Sequence, residues 1–164
     1  MIGRDVQPPD PTAKRIDRAQ RIEAAHDEAH EVIAENFDAV TARLTPSSMS
    51  YIVIVTRGHK DDMRLLRWAV QTGARYVGMI GSKRKVIGIH RGLREEGLAE
   101  NLFDHVYAPI GLDIGALTPE EIGVAVCAEM IAVCRRSESK LPHMSWFLRR
   151  TENANDSALA IADE

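Results

Sequence analysis

YIVIVTRGHKDD, residues 51–62, sets the architecture of this 164-residue chain. Its first six residues are continuously apolar and β-branched, which is typical of a strand that is buried on both faces. A polar loop follows, and Asp61 and Asp62 suit the first turn of a helix because the helix dipole stabilises carboxylates there. Leu66 would lie on the apolar face of that helix, and Gly73 is expected to end it. The segment therefore predicts a strand, a loop and a helix in succession.

The same order of elements is predicted twice more along the chain. Residues 76–80, YVGMI, predict a second buried strand, and Ser82 can cap the helix that follows. Residues 105–110, HVYAPI, predict a third strand, and Thr118 with Glu121 forms a capping-box pattern before a last helix. Strands that alternate with helices through short links predict a parallel sheet covered by helices. The predicted fold class is α/β, a Rossmann-like three-layer fold with a mostly parallel sheet.

The last predicted helix runs to about Arg135 and is apolar around much of its circumference, so we expect it to pack deeply. Cys127 and Cys134 lie on this helix, about 10.5 Å apart along its axis, which is too far for a disulfide within the helix. Both are expected to be small side chains of the core. Two cysteines do not make a disulfide scaffold, so the thiols are expected to be reduced.

The chain is predicted to divide into an amino-terminal arm and helix (1–30), the Rossmann-like domain (31–148) and an acidic polar tail (149–164). Within the arm, residues 12–27 predict a helix with a narrow apolar stripe. EVIAENF, residues 31–37, predicts a short additional strand, and residues 38–44 predict a short helix.

Composition and charge exclude several classes of protein. The hydrophobic fraction of 45% and the charged fraction of 27% are those of a globular protein, so a disordered or collagen-like chain is excluded. A net charge of −3 does not indicate a nucleic acid or an acidic membrane as partner. The longest apolar run, residues 122–134, is interrupted by Glu129 and is shorter than the roughly 20 residues that span a bilayer. No secretory signal begins the sequence, and we therefore expect a cytoplasmic protein.

The candidate site lies in three polar loops that follow the predicted strands. In an open parallel sheet, ligands bind outside the carboxyl ends of the strands, and nearly all the concentrated polarity of residues 51–150 falls there. The candidate residues are Arg57, Gly58, His59, Asp61 and Asp62 in the first loop, Gly81, Ser82, Lys83, Arg84 and Lys85 in the second, and Gly111 and Asp113 in the third.

The second loop carries the sharpest signal. Lys83, Arg84 and Lys85 fall in the first turn of a predicted helix, where the dipole disfavours each cation by roughly 0.3–1 kcal/mol. Three basic residues at this end are explained if the turn holds an anion such as a phosphate, which the free N–H groups also favour. The alternative is that the three side chains are simply solvated, since salt screening makes the mismatch small.

The first and third loops are less specific. Arg57, His59 and the two aspartates could contact a ligand, form an acid–base set or hold a divalent metal ion. The aspartates also suit a helix N-terminus without any ligand, and Asp113 between glycines is an ordinary turn residue. No G-x-G-x-x-G pattern is present in the sequence, so the usual pyrophosphate fingerprint is missing.

Three strings resemble, in this order and spacing, the carboxy-terminal Rossmann-like domain of the XdhC/CoxI family of xanthine dehydrogenase accessory proteins. They are YIVIVTRGHKDD, YVGMIGSKRK and APIGLDIGALTPEEI, and the resemblance extends over roughly residues 30–136. It implies a non-catalytic maturation factor that binds the molybdenum cofactor (molybdopterin), shelters it during sulfuration and delivers it to a molybdenum hydroxylase such as xanthine dehydrogenase. A cysteine desulfurase is a further implied partner. The phosphate of the cofactor agrees with an anion site at residues 81–85.

The sequence departs from the family pattern at its beginning. Family members carry an amino-terminal domain, and their Rossmann-like domain opens with a glycine-bearing strand–turn–helix that this sequence does not show. We therefore expect a sheet truncated at its first strand–helix–strand unit, with an uncovered edge that favours a homo-oligomer. Two alternative functions stay open: an NAD(P)-binding oxidoreductase on the same fold, and an interaction subunit with no small-molecule ligand.

Overall fold

The structure, a computed structural model, describes residue 29, residues 31–137 and residues 141–148. The chain divides into two compact units, with the boundary after residue 42. The helix predicted over residues 12–27 and the tail predicted over residues 149–164 lie outside the described residues.

In the first unit, the described residues contain one short helix, α1 (Phe37–Thr41). The side chain of Asn36 caps it and accepts a backbone N–H hydrogen bond of 2.9 Å from two residues further on. The strand predicted over residues 31–37 is wrong: these residues are irregular, and a capping asparagine favours helix initiation over strand pairing. The helix predicted over residues 38–44 is present but ends at Thr41.

The second unit contains a three-stranded sheet with helices between and after its strands. Its elements are β1 (Tyr51–Ile54), α2 (His59–Ala69), β2 (Tyr76–Met79), α3 (Lys83–Glu95), a 3₁₀-helix (Glu100–Phe103), β3 (Val106–Tyr107) and α4 (Pro119–Arg135). The strand order is β1-β2-β3, and both pairings are parallel. Tyr51 lies opposite Tyr76, and Val77 lies opposite Val106. The predicted α/β Rossmann-like fold with a parallel sheet is confirmed.

The helices begin where local hydrogen bonds satisfy their first N–H groups. The Ser82 hydroxyl caps α3 by accepting the Lys85 N–H at 3.3 Å. Thr118 and Glu121 form the predicted capping box of α4, and the backbone N–H groups of residues 118 and 117 hold the pKa of the Glu121 carboxyl below its usual range. These two helix starts are confirmed.

α2 is shorter than predicted. It ends at Ala69 rather than near Gly73, because the chain tightens there into a turn. The Thr72 hydroxyl donates to the Ala69 carbonyl at 2.7 Å and so satisfies one of the carbonyl groups that the helix end leaves free.

One face of the sheet packs against α2 and α3. Its residues are fully buried and mostly aliphatic: Leu66 from α2, Val77 and Met79 from β2, and Val86, Ile89 and Leu93 from α3. We call this the aliphatic face. The predicted apolar stripe of α3, with residues 86, 89 and 93, is confirmed.

The opposite face of the sheet carries a row of tyrosines and packs against α4. Tyr51, Tyr76 and Tyr107 occupy neighbouring strands, and their rings stack with centroid distances of 5.8 Å and 4.6 Å. Val133 of α4 is buried against this row. We call this the tyrosine face.

Two burial predictions fail. β1 is an edge strand that is not buried on both faces, and Val53 remains 43% exposed. α4 does not pack deeply: Ala125, Glu129, Ala132 and Val133 are buried, whereas Cys127 and Cys134 are exposed instead of filling the core. The reason is geometric, because a single helix on a three-stranded sheet buries only one of its sides. Within the described part of the chain, no helix is long and apolar enough to cross a membrane.

Candidate functional site

The first loop is organised around Asp62, in the first turn of α2. Its side chain is completely buried, and Oδ1 accepts a hydrogen bond of 2.8 Å from the Thr56 hydroxyl. Thr56 Oγ1 accepts the N–H of Gly58, the N-cap residue of α2, at 3.2 Å. One threonine therefore connects the end of β1 with the start of α2, and Asp62 anchors the loop.

An ion pair joins the first loop to the second. The Lys85 ammonium contacts Asp62 Oδ2, and this ion pair compensates a carboxylate that is fully buried. Gly81 makes room for the lysine stem, since a Cβ at this position would lie 3.0 Å from Lys85 Cδ. Lys85 thus holds two of the three predicted loops together, and its charge is compensated within the protein.

The remaining predicted residues of the first loop lie near the start of α3 or on the surface. The ring of His59 lies beside α3, with its Cε1 3.9 Å from the position of a Cβ on Gly88. Asp61 accepts a hydrogen bond of 3.1 Å from Arg64 one turn later in α2. Arg57 is exposed. The fold therefore brings His59 and Asp62 close to the second loop.

Two cations of the second loop have no partner among the described residues. Lys83 and Arg84 are exposed, and neither forms an ion pair within the part of the chain that the structure describes. Ser82 accepts the N–H of Lys85, so the backbone N–H groups of Lys83 and Arg84 are left over at the start of α3. Positive side chains, free N–H groups and the positive end of the helix dipole coincide at this turn.

The third loop is held from behind by α4. Gly111 has a φ of +103°, which favours glycine, and its missing side chain lets the loop approach Ala125, whose Cβ would lie 3.4 Å from a Cβ at this position. The Gly111 N–H donates a hydrogen bond of 2.9 Å to Glu129 Oε2. The N–H of Asp113 donates to the Pro142 carbonyl at 2.7 Å, and the Asp113 side chain is exposed.

Glu129 is the residue that sequence analysis missed. Its carboxyl group is fully buried and accepts the Tyr76 hydroxyl at 2.6 Å in addition to the Gly111 N–H. His143 Nδ1 lies 2.8 Å from Glu129 Oε1. A signal was present, because Glu129 falls four residues after Ala125 in the apolar run and so shares its helix face. A carboxylate on the inward face of a helix is buried only when hydrogen bonds satisfy it.

Tyr76 reaches Glu129 because the strand beneath it carries no side chain. A Cβ on Gly78 would lie 2.7 Å from Tyr76 Cε1 and 2.5 Å from Ile110 Cδ1, so the phenol occupies the space above this glycine. Burial raises the pKa of Tyr76 above its usual range, and the neighbouring Glu129 raises it further. The phenol therefore stays a hydrogen-bond donor well into the alkaline range.

The arrangement suits recognition of an anion more directly than metal chemistry. In the described ranges, no three His, Cys, Asp or Glu side chains are grouped so that they could hold a metal ion. The exposed charges that remain at the carboxyl ends of β1 and β2 are basic, and the carboxylate between them is paired with Lys85.

Comparison with known proteins gives a family-model match over residues 2–130, and the model is that of the XdhC Rossmann domain. The match begins within the segment predicted to be an amino-terminal arm. It also includes all three loops of the candidate site.

Individual relatives are longer than this chain. The chain is 35% identical over 100 residues to the uncharacterized protein YqeB of Escherichia coli (strain K12), which covers 61% of this chain and 18% of that protein. It is 31% identical over 84 residues to a probable xanthine dehydrogenase subunit of Bacillus subtilis (strain 168), which covers 51% and 23% of the two chains. A xanthine dehydrogenase structure from Bacillus halodurans superposes with a TM-score of 0.61 at 26% identity, over 73% of this chain and 34% of that one. The chain thus spans about a fifth of the curated relatives that it matches.

Proposed function

The chain belongs to the family of XdhC Rossmann domains, and from this membership we propose that it is an accessory factor for a molybdenum hydroxylase such as xanthine dehydrogenase. Two relatives whose names refer to xanthine dehydrogenase support this role. In the proposed role the chain acts in the cytoplasm, binds the molybdenum cofactor, shelters it while a cysteine desulfurase supplies sulfur, and passes it to the hydroxylase. The cofactor supplies the redox centre of the hydroxylase, and this chain supplies its binding site.

The observation that carries the proposal is the uncompensated positive turn at residues 81–85. Lys83 and Arg84 are exposed beside two free backbone N–H groups, and neither has an ion-pair partner among the described residues. Charge-assisted hydrogen bonds from basic side chains and from helix N-termini are the usual means of holding a phosphate ester. In this proposal Lys83 and Arg84 contact the cofactor phosphate, and the Ser82 hydroxyl is close enough to take part.

The other predicted residues have distinct roles in the proposed site. Asp62 and Lys85 fix the first and second loops relative to each other, so that Arg57 and His59 are presented on the same side as Lys83. Gly58 and Gly81 allow the close approach of backbone to ligand that a bulky pterin requires. Gly111 and Asp113 form the far wall, which Glu129 holds in place.

The test is a binding titration of the purified chain with molybdopterin released anaerobically from a molybdoenzyme. The double substitution Lys83→Ala with Arg84→Ala is expected to weaken binding at least about tenfold, because two charge-assisted contacts are lost. The control is Arg75→Ala with Arg91→Ala, which removes the same charge from surface positions away from the site.

Equal binding by the double variant and the parent chain would refute the site. A parallel titration with NADP(H) addresses the oxidoreductase alternative. Tight binding of the nicotinamide nucleotide with no binding of molybdopterin would replace the proposed function with that alternative.

A further inference from the structure

The outer side of α4 carries a regular apolar stripe. Val124 is 63% exposed and Ile131 is 62% exposed, and Cys127 and Cys134 are exposed between and beyond them. The four positions are separated by three, four and three residues, so they lie within one narrow arc of the helix surface. The buried residues Ala125, Glu129 and Ala132 lie on the opposite side. We call residues 124, 127, 131 and 134 the outer stripe.

The spacing of the outer stripe is that of a helix-pairing seam. Alternation of three and four residues keeps apolar side chains on the contact line of two helices that pack side by side. α4 has 17 residues and is therefore about 25 Å long, which provides several successive layers of contact. An isolated helix on a protein surface has no use for this pattern, because a single exposed apolar residue is ordinary but an ordered row is not.

The charges at the two ends of α4 identify the occupant. Glu120 and Glu121 lie in the first turn, whereas Arg135 ends the helix and Arg136 follows it. A second copy of α4 that runs in the opposite direction would place its basic end beside the acidic end of the first, at both ends of the pair. A parallel copy would place like charges and like dipole ends together. We propose that the chain self-associates through its outer stripe, with two copies of α4 packed antiparallel about a two-fold axis.

The proposal defines which residues meet. In the antiparallel pair, Val124 lies opposite Cys134 of the second copy, and Cys127 lies opposite Ile131 of the second copy. Ala128 lies near the two-fold axis, where its small side chain permits close approach of the helices. The closed two-fold arrangement uses the same surface on both copies, as most homodimers do.

This surface differs from the sheet edge. The edge formed by β1 also exposes apolar side chains, including Val55 directly after the strand at 66%, and an unpaired edge strand could associate with another edge. Ile131 and Val55 are therefore a matched pair for a test: both are β-branched, both are exposed to a similar degree, and each belongs to one of the two surfaces.

The first experiment measures mass by light scattering over about a hundredfold range of concentration. The parent chain is expected to shift from its monomer mass of 18.2 kDa toward twice that mass as concentration rises. Ile131→Glu is expected to stay at the monomer mass throughout, and Val55→Glu is expected to behave like the parent. Monomeric parent protein at all concentrations, or loss of the dimer in Val55→Glu alone, would overturn the proposal.

The second experiment tests the direction of the helices by disulfide trapping. Val124→Cys in a Cys127→Ser background leaves thiols at 124 and 134, which face each other only across an antiparallel pair. These two positions lie about 15 Å apart along one helix, so a disulfide within the chain is not possible. Rapid formation of a covalent dimer is expected, with none in Cys127→Ser alone. A covalent dimer of Cys127→Ser alone would instead require parallel helices and would contradict the proposed orientation.

Discussion

The two faces of the sheet are closed by different physical means. The aliphatic face is filled by side chains such as Leu66, Ile89 and Leu93, whose contacts are non-directional and depend on shape and volume. On the tyrosine face, Tyr76 and Glu129 meet through a hydrogen bond of fixed geometry. The difference explains why the third loop of the candidate site depends on the tyrosine face: the directional contacts that support Tyr76 also fix Gly111.

The strongest test of this comparison is Glu129→Ala. The substitution would leave the Tyr76 hydroxyl and the Gly111 N–H buried without an acceptor, and would remove the partner of His143. We expect the free energy of unfolding to fall by about 3–5 kcal/mol, measured by urea denaturation. Glu129→Gln, which keeps one acceptor oxygen, should lose less. A loss below about 1 kcal/mol for the alanine variant would show that hydrogen bonding does not close this face.

Leu93→Ala makes the corresponding change on the aliphatic face. Leu93 is fully buried, and its truncation leaves a cavity without any unsatisfied polar group. The expected loss is about 3 kcal/mol in the same denaturation experiment. Ile89→Val, which removes a single methylene, should cost about 1 kcal/mol. If these losses did not follow the volume removed, packing would not be the main source of stability on this face.

Tyr76→Phe separates the hydrogen bond from the packing of the ring. Its stack with the neighbouring tyrosines is kept, but Glu129 loses a donor, and we expect a loss of about 2 kcal/mol at neutral pH. Tyr51→Phe is the control, because no partner of the buried Tyr51 hydroxyl occurs among the described residues. That variant is expected to match the parent chain.

The same tyrosine predicts how stability changes with pH. The folded state raises the pKa of Tyr76, so the phenol stays protonated when folded but ionises near pH 10 when the chain is unfolded. The contribution of Tyr76 is therefore complete below about pH 10 and declines as the pH rises above that value. In Tyr76→Phe, unfolding measured between pH 9 and about 11 should show a shallower decline. An unchanged slope would contradict the assignment to this residue.

The smallest expected effects are those of the helix caps. Ser82→Ala at the start of α3 and Thr118→Ala at the start of α4 each remove one capping hydrogen bond, and each should cost about 1 kcal/mol. Similar losses at the two caps would show that the difference between the faces comes from the contacts of the helices with the sheet. A much larger loss for either variant would point instead to the helix ends.

The sequence predicts the elements whose signals are local. The cap at Ser82 and the capping box at Thr118 connect residues three positions apart, so the pattern contains the whole interaction. The strands at residues 51–54 and 76–79 are also recognisable, because a continuous apolar run has few other interpretations in a globular chain.

Interactions between distant residues could not be predicted in the same way. The hydrogen bonds of Glu129 reach Tyr76 and Gly111, which are 53 and 18 residues away along the chain. The exposure of Cys127 depends on how many strands lie beneath α4, which the helix pattern does not contain. The loop residues were identified, but the pairing of Asp62 with Lys85 depends on how neighbouring strands bring two loops together.

The ion pair between Asp62 and Lys85 has a kinetic consequence. It consumes one carboxylate and one ammonium at the carboxyl edge of the sheet, and Asp61 is likewise paired with Arg64. The exposed cations that remain along this edge are Arg57, Lys60, Lys83 and Arg84, although the chain as a whole carries a net charge of −3. An anion that diffuses toward the molecule is therefore drawn to this edge and repelled by acidic surface elsewhere, so that encounters are already oriented before contact. This steering weakens as ionic strength rises, since the field is screened over about 8 Å at physiological salt.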